Sequence, residues 1–323
     1  MVPEELIKKL LQPGPRLGWL KEWLSREVWS SENYQELSPL DYLNRGEKII
    51  CDFEELLVSA AEQVYDELIS SAEKQFSIPD ALKDKDTAVV IFDGLSVREM
   101  PMLKVLAEKS GMKIKTADYS LSSVPSETLD FIEQKIQVGR IAPSLFPSRK
   151  EFKEKGISAF YVSGHNETVT LSGNNSMLLW SSFPDNTYKD SGARFDSHFS
   201  NIRDVFETAW INCVQAIRNK KRIIITSDHG YIFLGSGLDF PRNTKDLRVL
   251  NDIFGNERCV SLDKLKGVET LEDVYLDKVR NLALLKGRVK TVGTGSAASR
   301  LYKHGGLSLM EMFTPWLELE IKG

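Results

Sequence analysis

The chain has 323 residues, 41% of them hydrophobic and 27% charged, with 42 Lys and Arg against 46 Asp and Glu for a formal net charge of −4. These figures fit a soluble globular protein with a sizeable core and exclude both a disordered chain and an overall basic nucleic-acid binder, though not a local basic groove. Three scattered cysteines, Cys51, Cys213 and Cys259, lack metal-ligand spacing and argue against a disulfide framework. No run of about 18 apolar residues suggests a membrane span, and charges interrupt the N-terminal stretch where a signal peptide needs an apolar run. The expectation is a cytoplasmic protein with no membrane partner.

Residues 1–80 read as a helical extension. Leu6, Leu10 and Leu11 keep helical spacing until Pro13 and Pro15 break it. From Glu47 to Phe76 the apolar residues Ile50, Phe53, Leu57, Ala60, Val64 and Leu68 recur at three- and four-residue steps, predicting one helix of about seven turns. Such a helix packs on the domain that follows or docks a partner.

Residues 81–323 follow a different pattern. TAVVIFDG (87–94), KIKTADYSL (113–121), ISAFYVSG (157–164), SMLLWSS (176–182) and RIIIT (222–226) read as strands, with helices around Leu103, Leu106 and Ala107, over ETLDFIEQKI, and from Phe199 to Asn219. RVKTVG (288–293) and WLELEIK (316–322) are further strand candidates. Uninterrupted apolar strands alternating with helices imply a mostly parallel sheet covered on both faces, with ligands held beyond the carboxyl ends of its strands.

Polar clusters lie at those ends. Asp93 and Gly94 close one strand; Asp228, His229 and Gly230 close another; His304 sits in YKHGG. Asp93 alone reads as a turn residue before it reads as a ligand, and Asp228–His229 could be a hydrogen-bonded structural couple. At two ends of one parallel sheet, however, the three would share an edge, and carboxylate with neutral imidazole is a donor set for a divalent metal. In SSVPSETLDF (122–131), Ser126 or Thr128 would begin a helix after Pro125. Such a hydroxyl is a cap in isolation and a candidate nucleophile beside a metal.

Taken in order, VVIFDGLS, VPSET, TSDHGYIF and HGGLSLMEMFTPW resemble the PglZ domain, a branch of the alkaline phosphatase superfamily, over roughly 86–323. The resemblance implies an alkaline phosphatase-like three-layer α/β sandwich with a mostly parallel central sheet. It also implies two divalent metals, most commonly Zn2+ with Mn2+ or Mg2+ as alternatives, bridged across a phosphate ester.

Carried over residue by residue, Asp93, Asp228 and His229 would hold one metal, with Thr128 as nucleophile and Ser126 as the fallback. Asp185 and His304 would belong to the second metal. Lys189 stands where the superfamily commonly has a His, and there becomes a candidate phosphate-binding cation. His198 or Asp196 would complete the second site instead, and His165 lies in a loop nearby. The implied activity is that of a phosphatase or phosphodiesterase acting on phosphate esters, with nucleotide or nucleic acid as candidate substrates. The implied setting is a phage-defence (BREX) system with protein partners. The alternative function is a weakly active or inactive assembly module with one structural metal and helices that dock a partner.

Overall fold

The computed structural model describes residues 3–72, 76–168, 170, 174–190, 205–217, 219–235, 237–265, 271–291 and 302–321. Its strands are β1 (Thr87–Phe92), β2 (Met112–Leu121), β3 (Ile157–Val162), β4 (Ser176–Ser181), β5 (Arg222–Thr226), β6 (Ile232–Phe233), β7 (Cys259–Ser261), β8 (Val274–Asp277), β9 (Leu282–Leu285), β10 (Tyr302–Lys303) and β11 (Phe313–Ile321). A six-stranded sheet runs β2-β11-β5-β1-β4-β3. The pairs β5–β1, β1–β4 and β4–β3 are parallel, and β11 is antiparallel to both β5 and β2. β7, β9 and β8 form a small antiparallel sheet, and β10 pairs with β6.

Side-chain alternation explains why the central strands are apolar throughout. Val89, Ile91, Leu178, Trp180, Ile224 and Trp316 enter a core with Ile78, Phe131, Ile132 and Phe152 on one face. Val90, Phe92, Leu179, Ile223, Ile225 and Leu317 enter the other core. A sheet buried on both faces has no polar side to alternate with. The result is a three-layer α/β architecture with a mostly parallel central sheet.

The N-terminal helices close the second face, since Leu20, Trp23, Leu43, Ile50, Phe53, Val64 and Leu68 belong to the same hydrophobic cluster as Val90 and Ile225. The long helix expected from Glu47 is two helices, Pro39–Ala60 and Glu62–Ala72, broken at Ala61 with φ −140° and ψ 59°. Ala61 is buried whereas Ala60 is exposed, so the break shifts the apolar face by one residue. RVKTVG forms no strand over 288–291, and its last two residues lie outside the described part. Of the helix expected over 199–219, residues 205–213 are helical and Gln215–Ile217 form a 3-10 turn; 199–204 lie outside the described residues.

A buried ion network joins the first of these two helices to the α/β domain. Glu47, with a wholly buried side chain, accepts from Arg98 and Arg288, and Glu54 accepts from Arg288 Nε at 2.8 Å. Burial alone would raise the Glu47 carboxyl, but its two guanidiniums outweigh burial and hold it below the ordinary range. Burial outweighs what Glu54 has against it, one guanidinium from Arg288 and the Leu309 N–H, and its carboxyl is raised.

Candidate metal and phosphoryl-transfer site

β1 and β5 are parallel neighbours, so Asp93 and Asp228 emerge at one sheet edge. Ser227 fixes the end of β5: its hydroxyl donates to Phe92 O at 2.7 Å and accepts from Leu95 N–H at 2.8 Å. Asp228 is fully buried; its Oδ1 accepts from Gly94 N–H at 3.0 Å and its Oδ2 from the Thr128 hydroxyl at 2.7 Å. Gly94 has φ +71°, a left-handed conformation that glycine adopts without strain.

His229 is also fully buried. Its Nδ1 lies 2.9 Å from Gly230 O, and because a carbonyl only accepts, Nδ1 carries the proton. Nε2 is then a lone pair. It has no hydrogen-bond partner and lies 3.5 Å from Asp228 Oδ2 and 3.6 Å from Asp93 Oδ1. Gly230 has no positive φ; the requirement there is space, since a Cβ would come within 2.1 Å of Met310 O.

A second group adjoins the first. Phe183–Pro184 is a cis peptide, and Asp185 opens the helix Asp185–Asp190, with its N–H donating to Asp93 O at 3.0 Å. The β6–β10 ladder pairs Phe233 with Tyr302 and Ile232 with Lys303. That pairing carries the His304 segment alongside His229, and the two imidazoles stack at 3.9 Å with 12° between their planes. His304 Nδ1 lies 3.3 Å from Ser126 O and 3.4 Å from Glu127 Oε2.

Two sets of donor atoms each lie within 4.8 Å of one another, Asp93–Asp228–His229 and Asp185–His229–His304. A tetrahedral ion with bonds of about 2.0–2.2 Å separates its ligand atoms by about 3.3–3.6 Å. The spacings of His229 Nε2 from the two carboxylate oxygens match that edge length. A lone pair aimed at two carboxylate oxygens is electrostatically unfavourable until a cation sits between them. The residues present therefore fit a divalent metal.

Thr128 is the first residue of the helix Thr128–Phe131, which continues as a wider π turn to Ile136. Its hydroxyl shares Asp228 Oδ2 with the His229 face of the group. Ser126 is placed differently: it is fully buried, and its Oγ donates to Gly306 O and accepts from Gly305 N–H, both at 3.0 Å. That hydroxyl closes the His304 turn.

Lys189 follows Asp185 by four residues in its helix, with its side chain outside the described part, and Asp196 and His198 lie outside the described residues altogether. His165 packs its ring 5.8 Å from Phe183, and among the described residues it joins neither donor set.

Two contacts went unnamed in the sequence. Trp180 Nε1 donates to Asp93 Oδ2 at 3.3 Å, and Tyr302 OH donates to Asp185 Oδ1 at 2.9 Å. Tyr302 precedes His304 by two residues at a strand, a same-face spacing that could have marked it; Trp180 left no such signal. Burial, and then the Asp185 charge, push the Tyr302 phenol well above its ordinary pKa, so it stays a donor.

No family model matches the chain, and no curated protein matches it. Among solved structures it is similar to murine ectonucleotide pyrophosphatase/phosphodiesterase 5, at 14% identity and a TM-score of 0.43 over 72% of this chain and 87% of that one. An inactive variant of the same murine protein in complex with AMP is similar at 13% identity and a TM-score of 0.45 over the same shares. Phosphonoacetate hydrolase from Sinorhizobium meliloti, in complex with phosphonoacetate, is similar at 12% identity and a TM-score of 0.37 over 72% of this chain and 89% of that one.

Proposed function

We propose that the chain is a metal-dependent hydrolase of phosphate esters, with Thr128 as its nucleophile. One observation carries this reading. The unpartnered Nε2 of His229 faces Asp93 and Asp228 oxygens at tetrahedral-edge distances, and the Thr128 hydroxyl sits on the same Asp228 oxygen.

Asp93, Asp228 and His229 would hold one divalent metal and Asp185 with His304 a second, His229 lying in reach of both. Bound there, the metals supply Lewis-acid neutralisation of phosphate oxygens and lower the pKa of an attacking hydroxyl or water. The chain does the rest. Asp228 holds the Thr128 Oγ1 in place and is the acceptor its proton already faces. The Thr128 oxygen forms the new bond to phosphorus while the ester oxygen departs and takes up a proton. Water then cleaves the phosphothreonine, releasing phosphate and restoring the hydroxyl. Burial of Asp228 and His229 keeps bulk water from screening these charges.

Zn2+ as the ion, a nucleotide or nucleic acid as the ester and a place in phage defence rest on the motif resemblance alone, and a cytoplasmic location on the sparse, scattered cysteines.

The test is hydrolysis of p-nitrophenyl phosphate and bis-p-nitrophenyl phosphate with added Zn2+ or Mn2+, beside metal quantification. Thr128→Ala should retain metal and lose on the order of 10³-fold or more in kcat. Asp228→Ala should lose both metal and activity. Activity untouched by both substitutions would sink the assignment.

A further inference from the structure

The second donor pair is thinner than the first: Asp185 and His304 come from segments more than a hundred residues apart, and His229 is shared with the first set. Something must hold Asp185 and His304 in register. Tyr302, two residues before His304, reaches across to the Asp185 segment. Its ring is buried on β10, tilted against Tyr231 at 5.0 Å and edge-on to His304 at 6.1 Å. Its hydroxyl donates to Asp185 Oδ1 at 2.9 Å, which fixes the plane of that carboxylate. Gly94 leaves room for the contact, since a Cβ there would stand 2.8 Å from Tyr302 OH and 3.0 Å from Asp185 Cβ.

We propose that Tyr302 is a positioning residue for the second of two divalent-metal sites, tying the Asp185 carboxylate to the segment that presents His304. This rests on the metal reading of the site given above. A metal ligand whose carboxylate is oriented by an outer hydrogen bond binds more tightly than one that must be ordered on binding; removal of such a partner typically costs about 10–100-fold in metal affinity. The carboxylate that Tyr302 orients belongs to the second donor set and not to the first, so its loss falls first on the second ion.

The experiment is calorimetric titration of metal-stripped protein with Zn2+, and with Co2+ followed by its visible absorption. Asp228→Asn identifies the step belonging to the first site, and Asp185→Asn the step belonging to the second. Tyr302→Phe removes one oxygen and keeps the ring. It should leave the first step within twofold of wild type and weaken the second at least tenfold, matching Asp185→Asn in which step it affects. Two unchanged steps would overturn the proposal. Equal weakening of both, or loss of the fold, would also overturn it, because Tyr302 would then be a structural residue. A single step in the wild-type chain would remove the second site, and the proposal with it, while leaving the first site standing. Absence of any metal binding by the wild-type chain would instead overturn the metal reading as a whole.

Discussion

Glu47 offers the sharpest test of how the N-terminal helices are joined to the domain. Its side chain is wholly buried between Arg98 and Arg288, and Glu54 supplies the second carboxylate. Two guanidiniums and two carboxylates balance. Glu47→Gln keeps the shape and removes one negative charge, leaving a net positive charge in a core that excludes water. Breaking a buried pair from one side costs about 3–5 kcal/mol. Arg98 keeps Ser96 Oγ at 2.8 Å and Tyr231 O at 2.9 Å, which favours the lower half of that range. With an unfolding entropy of ~2.1 cal/mol/K per residue, each kcal/mol moves the Tm of a chain this long by about 1.5 °C. The expected drop is roughly 4.5–6 °C by calorimetry. Arg98→Met should cost a similar amount alone. The double variant, whose charges balance again through Arg288 and Glu54, should recover about 1–3 kcal/mol relative to the sum. A Glu47→Gln protein within 1 kcal/mol of wild type, or strictly additive single variants, would refute the reasoning.

Glu99 gives a pH signature. Burial, opposed by Arg98 and by the Tyr231 hydroxyl that donates to it, raises its carboxyl from 4.5 to about 7. A folded-state pKa above the unfolded one stabilises fully below pH 4.5, and that stability fades as pH rises to about 7. Between pH 5 and pH 8 the wild type should therefore lose about 2–3 kcal/mol more than Glu99→Gln, read as Tm profiles of different slope; profiles of equal slope would count against a raised Glu99. Gly230→Ala should cost at least about 3 kcal/mol, because the new methyl meets the Met310 carbonyl at 2.1 Å rather than a side chain that could move. A Gly230→Ala protein with wild-type Tm would show that the Met310 carbonyl can move aside and that the approach is not tight.

What the sequence could disclose follows from the range of each interaction. Strand identity was legible because a sheet covered on both faces writes itself as continuous apolar runs such as Ala88–Phe92 and Ile223–Ile225. Asp93, Asp228 and His229 could be placed together because two parallel neighbours must end at one edge. The break at Ala61 was hidden because the apolar period continues across it, displaced by one residue. The partners of Glu47 were hidden for another reason: Arg98 is 51 residues away and Arg288 is 241 away, and no local pattern encodes a pair at such separations. Trp180 and Tyr302 escaped likewise, since their polar atoms meet carboxylates 87 and 117 residues distant. Gly230 was legible as a glycine at a strand end, but the close approach of the Met310 carbonyl was not.

These long-range contacts give the N-terminal helices a part in the frame of the site. Glu47 holds Arg98, and Arg98 Nη2 donates to Tyr231 O, two residues beyond His229. The adjacent Glu99 accepts from the hydroxyl of the same Tyr231, so that residue is held by backbone and ring together. From the next turns of the same helix, Glu54 accepts from Leu309 N–H, five residues beyond His304. One helix, Pro39–Ala60, thus reaches both segments that present the stacked imidazoles. A buried hydrogen bond to a charged group is worth about 1.5–3 kcal/mol, enough to restrict each segment to one position. The helical region is therefore bound to the α/β domain by its apolar face and by charge, and the charge is spent where His229 and His304 must be held parallel.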